Sequence, residues 1–297
     1  MKRNKERIAV LTDTGSYLFP KDADELGIYL LPLQIIEDTN DGTITYLDLI
    51  DVNSQDIYQK LNQDITLKTS LPLYSTIYET LQQIKNDGFD SVIAIPLTPG
   101  ISSTASNIYS VANELDLPIS IIDTYTSCQI QNHVVKEVKE LVDHNYSRDE
   151  IVEIVNNQIK NSNSIIFAKD INHLKNGGRI TPTAAAFASM LKIYPILIMN
   201  KNTEGKIDVF DKVRTEKKAK RLLVDEILNS MNHSNYEVYI IHSDDLSNAN
   251  LLKQELTNKG IQENYIHINN FSSIISVHVG MQCLAIQIIE NIEIKER

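Results

Sequence analysis

The chain has 297 residues and a mass of 33.6 kDa, with 42% hydrophobic and 23% charged residues. That is ordinary globular usage for one or two domains, and it excludes a disordered tail or a collagen-like polymer. Its 28 Lys and Arg against 39 Asp and Glu leave a net charge of −11, with the bases dispersed, which argues against non-specific grip on nucleic acid or anionic lipid.

The elements follow in chain order. A basic segment, Met1 to Arg7, precedes a short apolar run, Ile8 to Leu11, that stops at Thr12-Asp13; it is too short for a signal peptide and reads as a first strand. Tyr74 to Asn86 places Ile77, Leu81 and Ile84 at helical spacing. Asp90 to Ile95 is a second strand, Ser102 to Leu115 a second helix through Ile108, Val111 and Leu115, and Ile119 to Ile122 a third strand. Strands alternating with helices predict a largely parallel sheet. Ile130, Val134, Val138, Leu141 and Val142 form one stripe, and Ser147-Arg148-Asp149-Glu150 reads as a capping box opening a helix that buries Ile151, Ile154, Val155 and Ile159.

From Ser164 the pattern restarts with a strand, Ile165 to Ala168, and a hairpin from Ile196 to Phe210. A helix carrying Ala219, Leu222, Leu223 and Ile227 follows, then strand, helix, strand, and a helix expected to begin near Met281. This predicts an α/β N-terminal domain over residues 1–162 and an α+β C-terminal domain over 163–297. The apolar stretches Ile28 to Ile36 and Met190 to Met199 fall below the roughly 18 residues a membrane span needs. Cys128 and Cys283 form no CxxC motif, and the seven His show no ligand spacing. A cytoplasmic, metal-free protein without stable membrane insertion is the expectation.

Five glycines have architectural explanations. Gly27, Gly88 and Gly260 each follow a helix, where a left-handed residue is needed, while Gly42 and Gly205 sit in hairpin turns. The other five, Gly15, Gly100, Gly177, Gly178 and Gly280, lie in polar loops. Ser102, at a helix start, serves as an N-cap, as a donor to an anion held by the free N–H groups there, or both. Thr69-Ser70-Leu71-Pro72 has the same grammar. Asp13-Thr14-Gly15-Ser16 follows the first strand, at the edge where α/β sheets bind ligands, and reads also as a plain Asx turn. Arg179 behind Gly177-Gly178 is either solvated or offered to a carboxylate or phosphate. His278 is either a core histidine or a site residue. No GxGxxG, GxxxxGK[ST] or GxSxG occurs.

Six segments in this order resemble the DegV family of bacterial fatty-acid-binding proteins: Asp13-Thr14-Gly15-Ser16, Thr69-Ser70-Leu71-Pro72, Pro99-Gly100-Ile101-Ser102-Ser103-Thr104, Ile122-Asp123-Thr124, Gly177-Gly178-Arg179-Ile180 and His278-Val279-Gly280. The resemblance implies a two-domain fold with a three-layer parallel-sheet N-terminal domain. It also implies one long-chain fatty acid, such as palmitate, stearate or oleate, held between the domains with no cofactor. By the same likeness Thr69, Ser70 and Ser102 hold the carboxylate, with Asp13, Thr14, Gly100, Arg179, His278 and Gly280 near the head group. An ATP-dependent fatty acid kinase subunit is the implied partner, and phospholipid synthesis the destination. Three positions depart from the family pattern: Pro99 stands for Ser, Ser103 for Gly, and Gly280-Met281-Gln282 for Gly-Pro-Gly. The residues also allow a serine acyl hydrolase with Ser102 as nucleophile and His278 as base. That reading needs Ser102 Oγ within about 3 Å of an imidazole nitrogen.

Overall fold

The computed structural model describes residues 6–187, 193–230 and 235–297; most of the basic N-terminal segment and the first part of the Met190 to Met199 stretch lie outside them. β1 (Ile8–Asp13) leads through a 3-10 turn (Thr14–Ser16) to α1 (Pro20–Leu26) and β2 (Tyr29–Leu31). Next come β3 (Gln34–Thr39), β4 (Gly42–Leu47), α2 (Ser54–Asn62), β5 (Leu67–Ser70) and α3 (Tyr74–Asn86). β6 (Ser91–Ile95), α4 (Thr104–Glu114), β7 (Ile119–Ile121), α5 (Gln129–Asp143) and α6 (Arg148–Gln158) follow. The second half runs β8 (Asn163–Ala168), α7 (Ile171–Gly177), α8 (Pro182–Phe187), β9 (Tyr194–Asn200), β10 (Asp208–Val213) and α9 (Glu216–Ser230). It ends with β11 (Tyr236–His242), α10 (Leu246–Asn258), β12 (Ile266–Asn270), α11 (Ser273–Val279) and β13 (Cys283–Glu290).

Strands β2-β1-β6-β7 form an all-parallel sheet, as the alternation of strands and helices requires. Successive side chains of a strand point to opposite faces, so β1 sends Ala9 and Leu11 toward α3 and α4 and Ile8 and Val10 toward α5 and α6. Helices on both faces make three layers. The capping box is present: Ser147 Oγ accepts the Glu150 N–H, and the Glu150 carboxylate accepts the Ser147 N–H at 2.9 Å.

A second sheet, β10-β9-β8-β13-β11-β12, is antiparallel except for the β11–β12 pair, which α10 joins by a crossover. One face packs on α9 and α10. The other meets α2, α7 and α11 in a core that also takes Leu33, Ile35 and Leu97 from the first half. A small antiparallel sheet, β4-β3-β5, flanks this core, its β3–β4 hairpin closing at Asn40-Asp41. After β13, Ile292 and Ile294 return to pack beside α5 and α6.

The end of the chain differs from expectation. No helix begins near Met281; helix α11 precedes that point and Cys283–Glu290 is a strand at the centre of the six-stranded sheet. A short apolar run buried on both faces looks alike as helix or strand, and here Gly280 and Gln282, with φ of 70° and 58°, stop the helix and turn the chain. Likewise α4 starts at Thr104, two residues later than the apolar spacing indicated.

Candidate functional site

The core shared by the two sheets borders a half-open cavity of about 700 Å³. Its walls are mostly hydrocarbon: Leu33 and Leu97 from the first half, Ile101 from the loop before α4, Ile180 and Ile207 from the second half, and Ile274, Ile275 and Val279 from α11. Polar groups gather where β5, the Pro99–Ser103 loop, the turn after α7 and the end of α11 converge. Thr69, Ser70, Ser102, Arg179 and His278 all line it there. A volume in this range with a few placed polar groups suits an amphipathic small molecule.

Thr69 Oγ1 and His278 Nε2 lie 2.7 Å apart, joining β5 to α11 across the chain. His278 Nδ1 is buried with no hydrogen-bond partner. Burial, with the charges of Arg179 and His173 behind it, pulls the His278 pKa down to about 3, so the imidazole is neutral at ordinary pH. A Cβ on Gly177 would stand 2.8 Å from His278 Nδ1, so glycine lets the α7 terminus close over the ring. The Arg179 guanidinium donates to the Gly177 carbonyl at 2.6 Å, which folds it back over the same turn.

Ser102 is placed by backbone contact. A Cβ on Gly100 would fall 2.2 Å from the carbonyl carbon of Gly205, so the loop before α4 lies directly on the β9–β10 hairpin. Ser102 N donates to Thr98 O at 3.1 Å, and Ser102 Oγ accepts the Thr104 N–H at 3.2 Å while pairing with Thr104 Oγ1 at 2.8 Å. The N-cap of α4 is Ser103, not Ser102; Ser102, one residue earlier, takes the Thr104 N–H and still faces the cavity. Thr69 and Ser70 cap nothing: they end β5, and α3 begins without a side-chain cap.

Asp13 and Thr14 stand behind the wall, not in it. Asp13 is wholly buried and accepts the N–H groups of Leu97 at 2.7 Å and Gly15 at 3.0 Å, with Gln131 Nε2 at 3.1 Å; Thr14 Oγ1 accepts the Leu33 N–H at 3.1 Å. They fix Leu97 and Leu33, which line the cavity, and do not line it themselves. Gly280 likewise ends α11 and packs on the His173 ring, outside the cavity lining. Asp123, near Thr98 and bonded to the Tyr125 N–H, braces the loop that carries Ser102.

The sequence-based hydrolase pair is not assembled. Ser102 Oγ engages Thr104, while the bonded nitrogen of His278 engages Thr69. Lining groups that sequence reasoning missed include Leu33, Thr181, Lys206, Ile207, Ile274 and Ile275. Only Lys206, a base beside the Thr203-Glu204-Gly205 turn, carried any signal. Among the described residues no group of three or more His, Cys, Asp or Glu is arranged to hold a metal ion, and no helix is long and apolar enough to cross a membrane.

Thr69, Arg179 and His278 also form one wall of a second cavity, of about 880 Å³. Lys68, Lys169 and His173 line its far side together with Asp64 and Asp170. The polar end of the hydrocarbon cavity thus adjoins a second chamber of mixed charge, with Lys68, Lys169 and Arg179 against Asp64 and Asp170.

Comparison with known proteins gives concordant results. A family model described as "Uncharacterised protein, DegV family" matches residues 7–291. A DegV domain-containing protein of Halalkalibacterium halodurans is 30% identical over 280 residues, covering 92% of this chain and 95% of that one. One from Streptococcus pyogenes is 32% identical over 282 residues, covering 94% and 97%. Among solved structures, a fatty acid binding DegV family protein from Streptococcus agalactiae superposes with a TM-score of 0.87 at 30% identity, covering 96% of this chain and 99% of that one. DegV, a fatty acid binding protein from Bacillus subtilis, does so at 0.84 with 25% identity, covering 97% and 100%.

Proposed function

The chain belongs to the DegV family, and on that premise we propose that it binds one long-chain fatty acid in the 700 Å³ cavity and presents its carboxylate to a separate ATP-dependent kinase subunit. The observation that carries the reading is the cavity itself: a half-open, mostly hydrocarbon cleft with hydroxyls and a neutral imidazole collected at one end. Burying an acyl chain yields roughly 0.8 kcal/mol per methylene, so a sixteen-carbon tail supplies on the order of 10 kcal/mol before ordering costs. The carboxylate mainly sets orientation. An anion taken from water needs hydrogen bonds, and Ser70, Ser102 and the one donor that the Thr69–His278 pair leaves free are at hand, with Arg179 supplying charge.

The second chamber supports the presentation step through Arg179, which lines both cavities and would face the negative charge of a phosphoryl donor brought to a carboxylate at the Thr69–His278 wall. Division of the chain into units of residues 1–162 and 163–297, with the ligand between them, belongs to the same proposal.

Native mass spectrometry of the protein purified from bacteria, followed by solvent extraction, tests the binding step. The expected result is one fatty acid per chain. A protein that emerges empty and takes up neither palmitate nor oleate would sink the reading. The presentation step is tested by adding ATP and a fatty acid kinase subunit and trapping acyl phosphate with hydroxylamine; hydroxamate should form only when both proteins are present.

A further inference from the structure

A polar cleft of about 630 Å³ lies where the two halves of the chain meet, and it shares no residue with either chamber described above. One wall is α5, whose residues Gln129, Asn132, His133, Lys136, Glu137 and Glu140 recur at helical spacing beside the apolar stripe of Ile130, Val134 and Val138. The floor is the β11–β12 pair. Its parallel register sets Tyr239 opposite His267 and Ile241 opposite Asn269, so Tyr239, His267 and Asn269 share one face of the sheet. The chain after β13 closes the far side with Asn291, Ile292 and Ile294.

The ionisable and aromatic groups of this cleft are engaged with one another. Tyr239 Oη and His133 Nδ1 lie 2.9 Å apart, and Glu137 Oε1 stands 3.1 Å from His133 Nε2 and accepts the Ile292 N–H at 3.1 Å. His267 Nε2 and Glu237 Oε2 are 2.6 Å apart, and Asn291 Nδ2 donates to Glu237 Oε1 at 3.0 Å. These contacts tie α5 to the second sheet and fix the shape of the cleft. The side-chain amides are left over. Gln129 is only 7% exposed, yet its amide makes no hydrogen bond among the described residues. Asn269 has none either, and Asn132, also 7% exposed, donates to Ser16 O at 3.1 Å with its own oxygen unused. Burying such groups without partners lowers stability, so a fold that keeps them together in one cleft keeps them for something that binds there.

The same groups select the ligand. An amide offers both a donor and an acceptor, which a hydroxyl group matches because it also does both. The floor holds no unpaired charge; Lys136 and Glu140, one of each sign, sit exposed at the rim. A nucleobase needs an open aromatic face, and Tyr239 has none to give: His267 stacks on it with centroids 5.2 Å apart, and the His133 ring stands against it at 6.1 Å. Ile292 and Ile294 present hydrocarbon to the C–H face of a sugar ring. We propose that this cleft binds a small uncharged polyhydroxylated molecule, a sugar of one or two rings, through the amides of Gln129, Asn132 and Asn269. The proposal stands apart from the acyl-cavity reading and does not depend on it.

Saturation-transfer NMR of the full chain with D-glucose, D-galactose, D-mannose, maltose and sucrose, each to about 10 mM, tests this, with adenosine and glucose 1-phosphate alongside. At least one neutral sugar should bind, and neither adenosine nor glucose 1-phosphate should displace it. Gln129→Leu should weaken that sugar about fivefold or more, and its urea midpoint should stay unchanged or rise, because the lost amide has no partner in the fold. A merely structural glutamine would do the reverse, lowering the midpoint and leaving the sugar Kd as it was. In the wild type, sugar should move the imidazole signals of His133 and His267 and leave that of His278 in place. No binding by any of these sugars, tighter binding of the nucleoside or the sugar phosphate, or an unchanged sugar Kd in Gln129→Leu would overturn the proposal. Should the variant fail to fold, the wild-type imidazole signals decide the matter: sugar that binds without moving His133 and His267 binds elsewhere.

Discussion

At the scale of single residues, the site is made by groups whose ordinary duties are structural. Ser102 is both the acceptor of the Thr104 N–H and a cavity hydroxyl, and Thr69 is both near the end of a strand and the partner of His278. A hydrogen bond to a charged group contributes about 1.5–3 kcal/mol, so Ser102→Ala should weaken oleate binding by roughly tenfold or more while leaving the fold intact. Titration calorimetry at pH 6 checks this; an unchanged Kd would remove Ser102 from the carboxylate site. Gly100 acts through what it lacks. Gly100→Ala drives a methyl into the Gly205 backbone, and overpacking of that kind costs about 1–3 kcal/mol, which urea unfolding would register. Both residues were visible in the sequence as a hydroxyl and a glycine in one loop. That the loop lies against a hairpin about a hundred residues later was not, because backbone contact between remote segments leaves no local pattern.

At the scale of elements, local chemistry and observed boundaries agree where a strong stop or start signal exists. The capping box at Ser147 opens α6 where Ser147-Arg148-Asp149-Glu150 indicated, and α3 covers Tyr74–Asn86 as its apolar spacing requires. Ser147→Ala should cost about 1 kcal/mol in thermal or urea unfolding and leave oleate affinity unchanged, since α6 packs on the face of the parallel sheet away from the cavity. The α11–β13 region is the counter-example. Its run from Phe271 to Ile289 is apolar with scattered hydroxyls, and no periodicity within it separates a seven-residue helix from a central strand. Position in the sheet, between β8 and β11, decided the outcome.

At the scale of the whole molecule, buried acids make stability depend on pH with an unusual sign. Asp13 is raised to about 6 and Asp48 to about 7, in both cases mainly by burial, so between pH 4 and pH 7 the folded chain holds more protons than the unfolded one. Stability from these two groups is therefore lost as pH rises through that window. Glu150 and His278 act oppositely: Arg297 and Ser147 hold the Glu150 carboxyl down to about 2, so its contribution disappears as pH falls from about 4.5 toward 2, and burial holds His278 down to about 3, so its contribution disappears as pH falls from about 6.5 toward 3 and offsets part of the gain from the two acids. The midpoint of urea unfolding should be greatest near pH 4.5–5.5 and decline toward pH 8. Asp48→Asn should flatten the upper limb. A midpoint that climbs steadily from pH 5 to pH 8 would contradict the assignment of both acids.

The sequence by itself determined the α/β class, the parallel sheet of the first half, most helices and the six loops by which the family is recognised, because each depends on short-range periodicity or on turn residues whose conformational needs are local. It also carried Ser102, Thr69, Arg179 and His278 as candidates, since hydroxyl and basic groups in glycine-rich loops stand out against apolar strands. Tertiary structure alone decided that Asp13, Thr14 and Gly280 stand behind the wall and that Lys206 and Ile207 complete it. Those placements follow from how two sheets and a shared core meet, and close packing between segments far apart in the chain is set by shape and volume, which no stretch of sequence records on its own.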